Sequence, residues 1–180
     1  MRLEEMLKYN REFVEKKEYE KYRTDKYPAK KTAVLACMDT RLTELLPAAL
    51  GVRNGDIKLI KNAGAIVSHP YGSVIHSLII AIYELGVEEI WVIGHDDCGM
   101  QNVDTEELIK TMHRHGITDV DIARSDGATG GIEKWLRGFH DVREAVLQTA
   151  EIIRSHPLIP DDVRVSALIM NPETGEVRMA

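Results

Sequence analysis

The most informative stretch of the chain reads Val92-Ile93-Gly94-His95-Asp96-Asp97-Cys98-Gly99. The apolar run that begins at Ile90 predicts a buried strand, and it gives way to a polar loop that carries a histidine and a cysteine. These two residues are three positions apart, so a tight turn can direct both side chains at one point. The other cysteine of the sequence, Cys37, also follows an apolar run. One imidazole and two thiolates at the ends of two strands predict a zinc site whose fourth position is left for water.

The two cysteines could also serve purposes other than metal binding. They could form one disulfide, or each could be a small buried hydrophobe. A reducing compartment disfavours the disulfide, and the matching positions at strand ends, one of them beside a histidine, favour metal binding. A cysteine nucleophile is a more distant alternative.

The composition limits the classes of protein to which the chain can belong. A length of 180 residues suits one domain, expected to span residues 1–180, with a sizeable core. The 23 basic and 29 acidic residues give a net charge of −6 without a basic block, so nucleic acid is not an expected partner. The longest apolar run, residues 78–82, is too short to cross a bilayer. The first five residues lack the apolar core of a signal peptide, so we expect a cytoplasmic protein that does not bind membranes.

On both sides of the stretch 92–99, short apolar runs alternate with segments in which apolar residues recur at helical spacing. The predicted strands cover residues 32–37, 56–61, 89–94 and 163–170, with a short one at Val177. The predicted helices cover residues 43–50, 73–85, 104–115 and 132–154, the last interrupted near Gly138. Residues 117–131, rich in Asp and Gly, are expected to form a loop. The alternation predicts an α/β fold with a mostly parallel central sheet flanked by helices. Sites in such sheets form beyond the carboxyl ends of the strands, which is where Cys37, Asn62 and His95 fall.

Residues 1–28 are expected to form an N-terminal helical arm. Apolar residues recur at helical spacing among many charges, which predicts an amphipathic helix over residues 4–22. The apolar positions are Leu3, Met6, Leu7, Phe13 and Val14. This helix could fold back on its own domain, or it could cover a partner subunit.

The segment Cys37-Met38-Asp39-Thr40-Arg41 places a cysteine, an aspartate and an arginine at alternate positions. In an extended segment these three side chains point the same way. The carboxylate could bind the metal, or it could accept a proton from the metal's water while the guanidinium holds it ionised. The simpler alternative is a surface Asp-Arg pair. The sequence leaves open whether Asp39 lies on the metal or pairs with Arg41.

Together, Cys-x-Asp-x-Arg after the first strand and His-x-x-Cys-Gly after a later one resemble the β-class carbonic anhydrases. The resemblance covers about residues 32–100, with a weaker echo over residues 163–170. It implies a zinc lyase that reversibly hydrates carbon dioxide to bicarbonate and a proton by a metal-bound hydroxide. It also implies a homodimer or homotetramer, because the family exchanges N-terminal arms between subunits.

By this resemblance each residue of the motifs receives a role. One Zn²⁺ per chain is expected on Cys37, His95 and Cys98, with Asp39 and Arg41 as the catalytic dyad. The substrate-binding residues implied are Asn62, Ala63, Gly64 and Gly99. The sequence departs from the larger members of the family, because the glutamine that they place before the first cysteine is missing here.

Other functions remain open at this point. A carbonyl sulfide or carbon disulfide hydrolase could use the same zinc site, and a non-catalytic protein could hold zinc as a structural metal. The remaining histidines are expected to be structural or exposed. His76, within an apolar helix, is expected in the core or an interface, whereas His69, His113, His115, His140 and His156 are expected on the surface.

Overall fold

A computed structural model describes residues 2–180, with the exception of the side chain of Ala128. The described strands are β1 Thr32–Cys37, β2 Ile57–Asn62, β3 Glu89–His95, β4 Arg164–Met170 and β5 Val177–Met179. They form one sheet in the order β2-β1-β3-β4-β5. All neighbouring pairs are parallel except β4 and β5, which are antiparallel. The predicted α/β fold, with a mostly parallel sheet and a short C-terminal strand, is confirmed.

Helices cover both faces of this sheet. The α-helices are α1 Leu3–Glu15, α2 Leu42–Ala49, α3 Ser73–Tyr83, α4 Thr105–Arg114, α5 Asp119–Thr129, α6 Ile132–Leu136 and α7 Val142–Arg154. Short 3-10 helices lie at Glu18–Tyr22 and Ala63–Ala65. The core on one face is shared with α3 and α7, and the smaller core on the other face is shared with α2. Among residues 2–180, no helix is both long and apolar enough to cross a membrane.

The interior position of β1 in the sheet explains its almost uninterrupted apolar sequence. All six of its residues are buried. Ala33 and Leu35 pack on the face that α3 and α7 cover, whereas Val34 and Ala36 pack on the face that α2 covers. A strand that is buried on both faces favours apolar side chains, and its one polar residue, Thr32, donates its hydroxyl to the carbonyl of Lys30 at 2.8 Å. Because β1 is parallel to both of its neighbours, the carboxyl ends of β1, β2 and β3 meet at one edge.

The predicted loop over residues 117–131 is wrong, because most of it forms α5. The helix begins with a capping box in which the side chains of Thr118 and Asp121 each bind the backbone of the other residue. It ends at Gly130, whose left-handed φ of 69° is typical of a helix C-terminus. The sequence did not indicate this helix, because its polar composition shows no apolar face that would pack on the core.

The N-terminal helix is shorter than the predicted range 4–22. It ends at Glu15, Lys17 adopts a left-handed φ of 54°, and a separate 3-10 helix follows. Within the described chain α1 buries none of its own residues. In an isolated subunit Leu3, Met6, Leu7 and Val14 are exposed, whereas Phe13 is half-buried.

Gly94 allows α7 to pack directly on β3. A Cβ atom at this position would lie 2.7 Å from Cγ1 of Val146 and 2.8 Å from Cγ2 of Val142. Such distances are repulsive, and a valine side chain has few rotamers with which to turn away. The close contact fixes α7 behind the strand that ends at His95.

Gly94→Ala is therefore expected to lower the free energy of unfolding by about 1–3 kcal/mol, the usual cost of overpacking a core. Gly127→Ala in α5 is the matched control, since a Cβ there would meet no described atom within 4 Å. Removing glycine from that helix should stabilise it by about 0.5–1 kcal/mol. Urea denaturation of the metal-free proteins measures both effects. A Gly94→Ala protein as stable as the unmodified chain would show that α7 is free to move outward.

Candidate metal centre

The sheet topology brings three soft ligands together. Cys37 ends β1 and His95 ends β3, and these strands are parallel neighbours. Cys98 follows in the turn after β3. One potential ligand atom from each residue lies within 4.8 Å of the others, and the two Sγ atoms are 3.7 Å apart. All three residues are buried, so the structure gathers the predicted ligands into one cluster that could hold a metal ion.

A tight turn carries the chain from His95 to Cys98. The amide of Asp96 donates to the carbonyl of Met170 at 3.0 Å, which anchors the turn to β4. Asp97 has a left-handed φ of 52°, a conformation that aspartate adopts more readily than most residues. The carbonyl of Cys98 then accepts from the amide of Gln101 at 2.8 Å. This reversal directs the second thiol toward the first.

The hydrogen bonding of His95 suits a metal ligand. Its Nδ1 lies 2.8 Å from the carbonyl oxygen of Asp96, and a carbonyl can only accept, so Nδ1 carries the proton. In the neutral imidazole this leaves Nε2 with a lone pair. Nε2 is buried and has no hydrogen-bond partner among the described atoms. A buried nitrogen without a hydrogen-bond partner typically lowers folding stability by about 1–3 kcal/mol, and a metal ion would satisfy it. The donor set of one imidazole and two thiols therefore fits zinc.

The protonation of the two thiols also favours the binding of a cation. A hydrogen bond with Cys98 lowers the pKa of Cys37 to about 4, although burial opposes the shift. The same contact, with burial, raises the pKa of Cys98, because a second thiolate so near the first is unfavourable. Burial works against charge on His95, but the sulfur of Cys37 and the carbonyl of Asp96 outweigh it and raise the pKa of His95. The metal-free cluster thus retains protons that a divalent cation would displace.

Asp39 and Arg41 form a two-pronged ion pair beside the cluster. Nε of Arg41 donates to Oδ1 of Asp39 at 3.1 Å, and Nη2 donates to Oδ2 at 2.9 Å. This pairing lowers the pKa of Asp39 to about 2. Oδ2 of Asp39 is also 3.7 Å from Nε2 of His95. The carboxylate therefore stands at the edge of the ligand cluster while it is paired with Arg41.

Arg41 makes a second contact that the sequence did not predict. Its Nη1 donates to the carboxylate of Asp97 at 2.9 Å, and its Nη2 donates to the carbonyl of Asp97 at 2.8 Å. Arg41 thus links Asp39 to the turn that carries two of the ligands. No local spacing could have indicated this, because Arg41 and Asp97 are 56 residues apart.

A cavity of about 700 Å³ opens at the ligand cluster. Its lining residues are Cys37, Met38, Asp39, Thr40, Arg41, Ala63, Cys98, Gly99 and Met100. Of the four substrate-binding residues that the resemblance implies, Ala63 and Gly99 thus line the cavity. Asn62 and Gly64 are not among these lining residues. The backbone of Gly64 hydrogen-bonds the sulfur of Cys37, and the side-chain Nδ2 of Asn62 donates to the carbonyl of Ile66 at 2.6 Å.

The exposed position predicted for His156 is wrong. His76 is exposed on α3, which excludes a place in the core of this subunit, whereas a place in an interface stays a prediction. His156 is buried after α7, and its Nδ1 accepts from the amide of Leu158 at 3.2 Å. The other four are exposed as predicted. None of these six histidines lines the cavity at the cluster.

The chain is thus an α/β protein with a mostly parallel sheet and, at its carboxyl edge, a cysteine-histidine cluster that could hold a metal ion. The family described as "Carbonic anhydrase" matches residues 32–177. Over 175 residues, 97% of this chain and 89% of the relative, the sequence is 46% identical to the Bacillus subtilis (strain 168) protein named "Putative carbonic anhydrase YvdA". The chain belongs to the β-class carbonic anhydrases.

Two further comparisons add detail. The crystal structure of β-carbonic anhydrase isoform I from Trichomonas vaginalis is similar with a TM-score of 0.89 and 31% identity, covering 99% of this chain and 97% of that one. A protein named carbon disulfide hydrolase from Acidithiobacillus thiooxidans is 35% identical over 153 residues, 81% of this chain and 74% of the relative. The resemblance inferred from two short motifs is confirmed.

Proposed function

We propose that this chain is a zinc-dependent enzyme that reversibly hydrates carbon dioxide to bicarbonate and a proton. Cys37, His95 and Cys98 would hold one Zn²⁺, which leaves one position of a tetrahedral metal for a small molecule. The observation that carries the proposal is the place of Asp39, ionised and held by Arg41 at the edge of the ligand cluster. A structural zinc site is normally closed by a fourth protein ligand and has no use for such a pair.

When bound, zinc would supply a Lewis acid that lowers the pKa of a water molecule to about 7. Asp39 would accept a hydrogen bond from this water and so orient an oxygen lone pair toward the carbon of carbon dioxide. Arg41 keeps the carboxylate ionised and oriented, because its Nε and Nη2 groups each donate to one oxygen of Asp39.

The cavity wall suits a small apolar substrate. Met38, Ala63 and Met100 contribute apolar surface around the cluster, which favours carbon dioxide over water. A Cβ at Gly99 would meet no described atom within 4 Å, so a substrate can approach the backbone there. The amide of Gly99 would donate to an oxygen of the bound bicarbonate.

Carbon disulfide or carbonyl sulfide is the second candidate substrate. The support is the 35% identity with a carbon disulfide hydrolase.

The decisive experiment combines metal analysis with stopped-flow hydration of carbon dioxide. Protein purified without chelator should contain about one zinc per chain, lose its activity when a chelator removes the metal, and regain it with added zinc. Zinc without hydration, but with hydrolysis of carbon disulfide, would move the function to the second candidate. Zinc without either activity would support a non-catalytic metal protein.

We also propose that the chain forms one domain over residues 1–180, that it assembles as a homodimer or homotetramer, and that it works in the cytoplasm. Reducing conditions there would keep Cys37 and Cys98 as thiols. The support for assembly is the arm over residues 1–28, whose helix buries none of its residues and exposes Leu3, Met6, Leu7 and Val14. Leu3 is 71% exposed and Met6 is 54% exposed.

A chain that begins at Pro28 is therefore expected to sediment as a smaller species than the full chain, because the apolar stripe would no longer bridge two subunits. Sedimentation velocity at several concentrations measures this. A full chain with Lys8→Ala is the control, since it keeps the stripe and changes only a charged position of α1. An unchanged oligomer after truncation, or a monomeric full chain, would contradict the proposal.

A further inference from the structure

The two aspartates of the ligand turn bind two different arginines. Asp97 binds Arg41 of the dyad, and Asp96 binds Arg178 of β5. In the second pair Nη1 of Arg178 donates to Oδ2 of Asp96 at 2.9 Å, and Nη2 donates to Oδ1 at 2.7 Å. This two-pronged geometry restrains both the position and the rotation of the carboxylate.

Asp96 also holds the imidazole of His95. Its carbonyl oxygen is the acceptor, at 2.8 Å, for the Nδ1–H group that determines the tautomer. Its amide donates to the carbonyl of Met170 at 3.0 Å. The backbone of Asp96 is therefore restrained by β4 and its side chain by Arg178 of β5. These restraints together fix the carbonyl that orients the ring.

We propose that Arg178 is a positioning residue for the metal ligand His95. Through Asp96 it keeps the carbonyl in place, so that His95 presents a free Nε2 toward the sulfurs of Cys37 and Cys98. Groups that accept the second ring N–H of a metal-bound histidine typically change metal affinity 10- to 100-fold. The proposal rests on the proposed function only in taking zinc as the metal.

The alternative role of the Arg178–Asp96 pair is to hold β5 on the sheet and nothing more. That strand has three residues, and Arg178 lies opposite Ile169 of β4. The side chain of Arg178 is 46% exposed and that of Asp96 is 37% exposed, and ion pairs in such contact with water contribute little to folding. Removal of a purely structural pair would therefore change the protein little, whereas removal of a positioning pair would change the ring of His95.

Arg164 is a matched control. It lies on β4 and pairs with Glu89 of β3 at 3.2 Å, with 68% of its side chain exposed. This is also an arginine–carboxylate pair that involves β3, but it lies at the opposite end of the strands from the ligands. Arg178→Ala and Arg164→Ala thus remove the same chemical group at the two ends.

The first measurement uses metal-free, reduced protein at alkaline pH, where the imidazole is neutral. Nitrogen-15 NMR of the imidazole should show the Nδ1–H tautomer of His95 in the unmodified chain and in Arg164→Ala. Arg178→Ala should show a substantial share of the Nε2–H tautomer. The second measurement is zinc affinity by competition with a chromophoric chelator. Arg178→Ala should bind zinc about 10-fold more weakly, within the range for outer partners of a histidine ligand.

Arg178→Lys separates charge from geometry. An ammonium group cannot make the two parallel hydrogen bonds, so its tautomer ratio and zinc affinity should be intermediate. An Arg178→Ala protein with the tautomer and zinc affinity of the unmodified chain would overturn the proposal, as would equal losses in Arg164→Ala. Should the unmodified chain bind no zinc, the proposed function would fail, and the tautomer measurement would still decide the role of Arg178.

Discussion

Replacing Cys98 with serine is expected to remove most of the zinc and all measurable hydration of carbon dioxide. Zinc binds proteins with about 10–16 kcal/mol shared over its ligands, so one thiolate is worth roughly 3 kcal/mol, or about a hundredfold in affinity. A serine hydroxyl stays protonated near neutral pH and is a poor ligand for a metal that prefers sulfur and nitrogen. The remaining pair, Cys37 and His95, cannot hold the metal at ordinary concentrations.

Metal analysis after dialysis and stopped-flow hydration measure this result, and circular dichroism checks that the variant is folded. Ser155→Ala is a suitable control, because it removes a hydroxyl at the end of α7, on an exposed residue far along the chain. A Cys98→Ser protein that keeps one zinc and full turnover would refute the assignment of Cys98 as a ligand.

Replacing Asp39 with asparagine should leave the zinc in place and slow hydration by roughly a hundredfold, the lower range for loss of a positioned proton acceptor. An amide is a weaker acceptor than a carboxylate, and it can present its NH₂ group to the attacking water. It would also place donors against the donors of Arg41. Asp97→Asn is the comparison, because it removes a carboxylate that also binds Arg41. Asp97 is 87% exposed and does not lie beside His95, so its replacement should slow hydration less.

The pH dependence separates Asp39 from the attacking water. Because Arg41 lowers the pKa of Asp39 to about 2, this carboxylate is ionised throughout the neutral range. Turnover of the unmodified chain should therefore rise toward alkaline pH with the ionisation of the water and not with that of Asp39. Turnover of Asp39→Asn equal to that of the unmodified chain across this range would exclude a catalytic role for the dyad.

The same lowered pKa predicts an effect on stability, and its sign follows from the direction of the shift. The pairing of Asp39 stabilises the folded chain above the unfolded pKa, about 3.9, and this contribution is lost as the pH falls toward 2. Metal-free Asp39→Asn should lose less stability than the unmodified chain between about pH 4 and 2. Denaturant titrations at several pH values measure the difference.

The strands and the ligand cluster could be predicted because their signals are local. Strand β1 is buried on both faces and is apolar from Ala33 to Cys37, which predicts a strand without further information. The ligands follow such strands directly, and the parallel arrangement brings them to one edge. Helix α5 was missed because its polar residues show no apolar face, although Thr118 and Asp121 form a capping box that the sequence does contain.

The contacts that could not be predicted join residues far apart in the chain. The pairing of Arg41 with Asp97, and that of Arg178 with Asp96, depend on which strands become neighbours. The burial of His156 after α7 and the exposure of His76 depend on which faces of the chain pack together. Composition around a residue does not specify such directions.

The delivery of the two cysteines by neighbouring strands also affects how the chain folds. Cys37 and Cys98 are 61 residues apart, and the crossover between β1 and β3 contains β2 and α3. Contacts of this sequence separation form late, because a long loop must close first. An incompletely folded chain therefore offers zinc at most the local pair of His95 and Cys98, without Cys37. Zinc at a hundred times its dissociation constant would add about 2.7 kcal/mol to the native state alone. The nascent chain would thus acquire its metal and this stability in the same step, when β1 and β3 pair.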